Sequence, residues 1–342
     1  MKYKPSEFLE LLEGFLYEYL PSSVGVSFNT VKSYKDTFRI LLSYINEEKH
    51  IDAGKITFTD LDYQTILGFL SWIETVRCCG ITTRNQRLSA LSSFAGYAQN
   101  RNIDAALFRK DLKKIPSKKH SNKSRTFFTL EEVKLFLNLP KDNGVIELRN
   151  KTILSVMYAS GARAQEICDL KICDVRFNGD ITSLIITGKG GKTRKVGIPI
   201  GCGTLLKNYI FKRRLSEKYE HYVFSSQTHE HMTVSCVEEI FKKYVSIAKK
   251  EYPGLFCEKN YTPHSMRHST ATHMLEAGVP IVVIKNFLGH ISIQSTQIYA
   301  EATQSTVDKH IKAWNEKWGF KSNITENNFD LHSGVPNFLK NK

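Results

Sequence analysis

Apolar residues recur at helical spacing along most of the chain. In "NTVKSYKDTFRILLSYINEE", Val31, Tyr34, Phe38, Leu41, Leu42 and Ile45 fall on one stripe, which predicts an amphipathic helix with Asn29 or Thr30 as its N-cap. "DLDYQTILGFLSWIETV" repeats the pattern. So does "TTRNQRLSALSSFAGYAQN", where Leu88, Leu91, Phe94 and Ala95 face a core while Arg84 and Arg87 occupy the N-terminal turns. A later helix starts at "TLEEVKLFLNL", with Thr129 as N-cap and Glu132 completing a capping box. The period changes to that of strands in "TSLIITG" and "RKVGIPI", both rich in Ile, Val and Thr. They flank a glycine-rich turn and predict a β-hairpin, with Pro199 at the end of its second strand. "HYVFSS" is a weaker strand candidate.

The helical pattern is interrupted by "RKDLKKIPSKKHSNKSR". From Lys113 to Arg125 it holds Lys113, Lys114, Lys118, Lys119, Lys123 and Arg125 and no acid, with Pro116 and several Ser and Asn, the composition of a linker. The expected layout is an all-helical domain over 1–112, a basic linker over 113–126 and a second domain over 127–320. That second domain is mainly helical around a small β-hairpin or sheet, a mixed α+β arrangement. The closing stretch, 321–342, is polar, lacks helical periodicity and reads as a tail. The opening "MKYKPSEFLELLEGFLYEYL" mixes Glu and Lys among its apolar residues, so it reads as neither a signal peptide nor a membrane span. The seven cysteines have no disulfide-scaffold spacing, and Cys78 and Cys79 are adjacent, which fits reduced thiols in a cytoplasmic protein.

Composition changes this picture in one respect. The 41% hydrophobic and 24% charged content is ordinary, but 48 Lys and Arg against 34 Asp and Glu leave a formal charge of +14. Such an excess suggests a polyanionic partner, nucleic acid first among them; the alternative is a basic but merely solvated surface.

The hairpin turn, "TGKGGKTRK", resembles the end of a nucleotide-binding loop in composition. A P-loop requires a glycine five positions before its G-K-[ST], and that position is Ile186. The flanks are strands where the motif needs a helix to follow. What remains is a hairpin tip carrying Lys189, Lys192, Arg194 and Lys195.

Three other stretches concentrate unusual side chains. In "YASGARAQEICDL", Arg163 lies among apolar neighbours and Glu166 follows one turn later, a spacing that suits either a structural ion pair or a functional arginine with its acceptor. In "TPHSMRHSTATHMLEAG", His264 and Arg267 share a helix face, whereas His268 and His273 read as packing residues. His264 and His268 have zinc-site spacing, but the metalloprotease pattern needs Glu where Ser265 stands, so no metal is expected. In "IKNFLGHISIQSTQIYAEAT", Gly289 ends a helix, His290 opens a turn, and Tyr299 sits between Ile298 and Ala300. Arginines bind phosphate bidentately, and tyrosine can serve as a covalent nucleophile. With no acidic pair to hold magnesium, a two-metal nuclease is disfavoured.

The order Arg, Lys, H-x-x-R, G-H, Tyr resembles that of the tyrosine recombinase, or phage integrase, family. "SGARAQEICDL", "ITGKGGKTRKVGIP", "PHSMRHSTATHMLEAG" and "FLGHISIQSTQIYAEA" are similar to its four motif boxes, in order, across roughly 127–315. The resemblance implies a helical core-binding domain followed by the catalytic domain. It implies Tyr299 as nucleophile, Arg163 and Arg267 as phosphate clamps, Lys189 as leaving-group acid, His264 as base or positioner and His290 as a phosphate ligand, with Glu166 in support. Lys189 is favoured over Lys192 because it is the first Lys of G-K-G-x-K. No cofactor is implied. The partners implied are double-stranded DNA with inverted-repeat sites, a homo-tetramer in the synaptic complex and accessory DNA-binding proteins. Arg84, Arg87, Lys118, Lys119, Lys123, Arg125, Lys192 and Arg194 are the expected DNA contacts. Integration or transposition of a mobile element is the expected role; a chromosome-dimer-resolving recombinase, a type IB topoisomerase and a catalytically idle DNA-binding regulator are the alternatives.

Overall fold

A computed structural model describes residues 6–119, 126–141, 144–179 and 181–289. The chain divides into two compact units, Met1–Lys123 and Ser124–Lys342.

The described part of the first unit is helical. Helix α1 (Glu7–Gly14) runs into a wider π-type segment, Phe15–Val24, which Gly25 closes in the left-handed conformation at φ 66°. Helix α2 (Phe28–Lys49) is capped by Ser27, whose hydroxyl accepts from the Thr30 amide. The expected caps Asn29 and Thr30 are already inside the first turn, because the extended backbone ends at Ser27. Helix α3 (Tyr63–Thr75) is capped by Asp62 and α5 (Ile103–Lys114) by Asn102, while α4 (Ile81–Ala98) starts at Gly80. The apolar stripes meet around Phe94, whose ring lies 5.1–5.9 Å from those of Phe8, Phe15, Phe38 and Phe58. Such edge-to-face and stacked pairs add about 1 kcal/mol each to the burial of the rings themselves.

In the second unit, α6 (Leu130–Asn138) begins with the capping box that the sequence predicts. Glu132 also does a tertiary job. Its buried carboxylate accepts from the Phe256 amide at 2.7 Å and the Tyr261 hydroxyl at 2.8 Å, fastening a distant loop to the helix start. Helix α7 (Val145–Ser160) and the short α8 (Ala164–Cys168) lead into an antiparallel sheet of β1 (Val175–Asn178), β2 (Ile181–Thr187) and β3 (Thr193–Ile198). The predicted hairpin is β2–β3, with Thr187 opposite Thr193; β1 is an additional edge strand. Among the described residues, "HYVFSS" forms a single bridge, Tyr222 to Lys171. The chain after Lys171 coils at once into a 3₁₀ turn, Ile172–Asp174, so no ladder can extend. Helices α9 (Ile200–Lys212), α10 (Val234–Glu251), α11 (Pro263–Glu276) and α12 (Ile281–Leu288) complete the described unit.

Helix α11 is buried nearly all round, and hydroxyls rather than an apolar stripe tie it down. Ser269 accepts from the Phe128 amide at 2.7 Å, and Thr270 donates to the Tyr158 carbonyl at 2.8 Å. The His273 ring is hydrogen-bonded to the Tyr158 hydroxyl at 2.9 Å. Burial holds the His273 pKa below its usual value, which favours the neutral ring of a packing histidine. Among the described residues, no helix is long and apolar enough to cross a membrane.

Candidate active site

Two helix ends create the frame. Helix α7 stops at Gly161 and α12 at Gly289, both left-handed, at φ 59° and 68°. Left-handed geometry is nearly free for glycine and leaves the last carbonyls of each helix turned out of the helical ladder. Arg267, reaching from the middle of α11, takes one carbonyl from each end: Nη1 donates to Gly161 O and Nη2 to Leu288 O, both at 2.7 Å. Its side chain is only 3% exposed.

The chain after Gly161 forms the other wall. Arg163 is the N-cap of α8, and Glu166 one turn on accepts from the Arg163 backbone amide at 2.9 Å. The same carboxylate accepts from Arg163 Nη1 at 2.8 Å and from Arg194 at 2.7 and 3.2 Å, and it lies 4.0 Å from Arg267 Nη1. Three guanidinium groups therefore surround one carboxylate. Burial pushes the Glu166 carboxyl up, but the hydrogen bonds from Arg194 and the Arg163 amide outweigh it and hold the group below the usual carboxylate range. The positive excess is presented outward by Arg163, whose side chain is 35% exposed, against 10% for Arg194.

The hairpin base closes on this cluster. A Cβ on Gly188 would lie 3.2 Å from Glu166 Oε1, so the backbone of Lys189 begins beside the carboxylate; the Lys189 side chain lies outside what is described. Gly190 and Gly191, both left-handed, make the turn, and the Gly188 amide donates to Lys192 O at 2.8 Å. Lys192 is exposed at the tip. His264 is exposed in the first turn of α11, where the Thr262 cap and Pro263 start the helix, and its ring packs on that of His268 at 6.4 Å. It shares the helix of Arg267 but not its enclosure. His290 and Tyr299 lie outside the described residues, as do Lys123 and Arg125.

Two of the expected DNA contacts, Arg194 and Arg84, are engaged inside the protein in this structure. Arg194 is engaged by Glu166 and donates Nε to the Phe287 carbonyl at 2.9 Å. The pleat explains this: Arg194, Val196 and Ile198 alternate onto the inward face of β3. The same alternation is visible in "RKVGIPI" and was the signal available for this residue. Arg84 is buried in α4 and donates to the Pro116 carbonyl at 2.9 Å, fastening the beginning of the basic stretch to the helix. Asn85 bonds both the amide and the carbonyl of Lys118, so that stretch is pinned at least as far as Lys118. The Lys118 ammonium pairs with Glu74 at 2.7 Å. Lys119 is exposed, and Arg87 is half-buried beside Thr37 in a polar groove between α2 and α4.

The chain and its fold have counterparts among known proteins. Residues 126–306 match the phage integrase family. The chain is 31% identical over 300 residues to the Sinorhizobium fredii protein named integrase/recombinase y4rC, covering 88% of this chain and 89% of that one. It is 29% identical to tyrosine recombinase XerD of Listeria monocytogenes, over 86% of this chain and 95% of the relative. A crystal structure of the XerH site-specific recombinase bound to palindromic difH substrate shares the fold, with a TM-score of 0.67 at 20% identity, covering 83% of this chain and 80% of that one. With a family match across the second unit and a likeness to a curated relative along most of its length, the chain belongs to the phage integrase family and is a tyrosine-type site-specific recombinase.

Proposed function

We propose that this recombinase cuts and rejoins double-stranded DNA by two transesterifications through Tyr299. The tyrosine oxygen attacks a scissile phosphodiester, the P–O5′ bond breaks, and a 3′-phosphotyrosyl bond forms while Lys189 protonates the departing 5′-oxygen. A 5′-hydroxyl from a second duplex then attacks the phosphotyrosine and releases the tyrosine. The phosphotyrosyl bond conserves the energy of the phosphodiester, so the scheme draws on neither ATP nor a metal. Arg163 and Arg267 stabilise the charge that develops on the non-bridging oxygens, His264 assists as base or positioner, and His290 hydrogen-bonds the phosphate. The observation that carries this reading is the cluster of three guanidinium groups around Glu166, which leaves positive charge facing solvent at Arg163.

In this reading the helical unit, 1–112, and the catalytic unit, 127–320, both engage the duplex, and the 113–126 stretch follows its backbone. Four subunits exchange strands between two inverted-repeat sites, with accessory DNA-binding proteins setting direction, in the cytoplasm. Movement of a mobile element is the role we favour, in line with the integrase name of the 31% identical relative. Resolution of chromosome dimers is the second reading, favoured by the likeness to XerD over 95% of its length.

A suicide substrate, nicked so that the 5′-hydroxyl fragment diffuses away, tests the core of the proposal. Wild-type protein is expected to accumulate a covalent adduct, and Tyr299→Phe to give none while binding the same DNA. Adducts in the variant would sink the assignment.

A further inference from the structure

Arg194 has no role in the chemistry proposed above, yet its side chain makes three hydrogen bonds beside it. Its two terminal nitrogens form a fork on the two carboxylate oxygens of Glu166, at 3.2 and 2.7 Å, and its Nε donates to the Phe287 carbonyl at 2.9 Å. All three contacts use the rigid, planar geometry of a guanidinium, which an ammonium cannot reproduce. The contacts also join three separate parts of the chain. Glu166 belongs to α8 beside Arg163, Arg194 is the second residue of β3 just past the lysine-bearing turn, and Phe287 lies in the last turn of α12, three residues before His290. The packing is close: a Cβ on Gly289 would sit 3.0 Å from Arg194 Cδ and 3.1 Å from its Nη1, so a side chain there would crowd this arginine.

The geometry points to Arg194 as a positioning residue that orients Glu166 and, through it, Arg163 and Arg267. Glu166 receives hydrogen bonds from Arg163 on one side and from Arg194 on the other, with Arg267 4.0 Å away. Fixing both carboxylate oxygens removes the rotation that would otherwise let the carboxylate, and with it the exposed Arg163 head, sample several placements. Electrostatic stabilisation of a transition state depends on donors already in place, and a displacement of about 1 Å can lower a rate by about 100-fold. Arg194 therefore acts on the cleavage step without touching the DNA. This inference rests on the assignment of Arg163 and Arg267 as the phosphate clamps.

The test is single-turnover cleavage of a nicked suicide substrate by full-length Arg194→Lys and Arg194→Met, with DNA affinity and thermal unfolding measured on the same preparations. The expected result is a cleavage rate about 100-fold below wild type in both variants, with DNA affinity within about threefold of wild type. The lysine variant keeps the charge, so its failure to rescue separates fork geometry from simple charge balance. A second substrate with a sulfur at the bridging 5′ position needs no leaving-group acid. It is expected to restore cleavage to Lys189→Ala but not to either Arg194 variant. Four outcomes overturn the proposal: cleavage by Arg194→Lys within threefold of wild type, restoration of an Arg194 variant by the sulfur substrate, loss of DNA binding in parallel with cleavage, or failure of both variants to fold. Tyr299→Phe in the same assay keeps the two readings apart, since adducts in that variant would refute the nucleophile whatever Arg194 does.

Discussion

Glu166 is one carboxylate shared among three guanidinium groups, and its protonation state governs how tightly they are held. Its side chain is 4% exposed, so removing the charge leaves buried arginines facing a neutral partner. Glu166→Gln is therefore expected to destabilise the second unit by about 3 kcal/mol at neutral pH, measured by denaturant unfolding. The dependence on pH follows from the direction of the shift. The folded carboxyl lies below its ordinary value of 4.5, so the unfolded chain takes up the proton first. The gap between wild type and Glu166→Gln should be full above pH 4.5 and shrink as the pH falls through the lower folded value. A gap that is constant from pH 7 to pH 3 would show that the charge is not the stabilising element.

At the scale of elements, the site is built where helices stop rather than where they run. Gly161 ends α7 at φ 59°, and a Cβ there would meet Leu288 Cδ2 at 2.6 Å, so both backbone conformation and space require glycine. Gly161→Ala is expected to cost about 2 kcal/mol from the left-handed backbone and the forced repacking, a Tm reduction of about 4–8 °C. Because Arg267 holds Gly161 O and Leu288 O, the same change should also depress cleavage on the suicide substrate. An unchanged Tm would mean that α12 yields without penalty. The elements themselves were largely legible in the sequence. The stripe through Phe38, Leu41 and Ile45, the capping box of Thr129 and Glu132, and the β2–β3 hairpin are all present. What escaped was of a different kind. Helix α11 was expected from the shared face of His264 and Arg267, but not its anchoring by hydroxyls in place of an apolar stripe, and "HYVFSS" has strand propensity but, among the described residues, a single bridge.

For the whole molecule, the charge of +14 is not spread evenly over usable surface. Arg84 and Arg194 are consumed internally, whereas Lys119 and Lys192 are exposed. DNA affinity measured against salt concentration should distinguish the two groups. The double change Lys119→Ala with Lys192→Ala is expected to reduce the slope of log affinity on log salt by about 1.8, from two lost phosphate contacts. Arg84→Ala is expected to leave that slope unchanged and to lower stability by about 2 kcal/mol, as a buried charged donor to the Pro116 carbonyl is removed. Equal slopes for the double variant and wild type would remove those two lysines from the interface.

By itself the sequence determined the helical character of the chain and the hairpin, because periodicity and turn chemistry report what each segment does locally, and it set out the order of the candidate site residues. The alternation that turns Arg194 inward is also local, and it stands in the sequence beside Val196 and Ile198. Only the tertiary structure decided which charges are shared. Arg194 meets Glu166 across 28 positions and Arg267 meets Gly161 across 106. No local pattern encodes such a meeting, since it arises from two helix ends, a strand face and a buried carboxylate packing into one place.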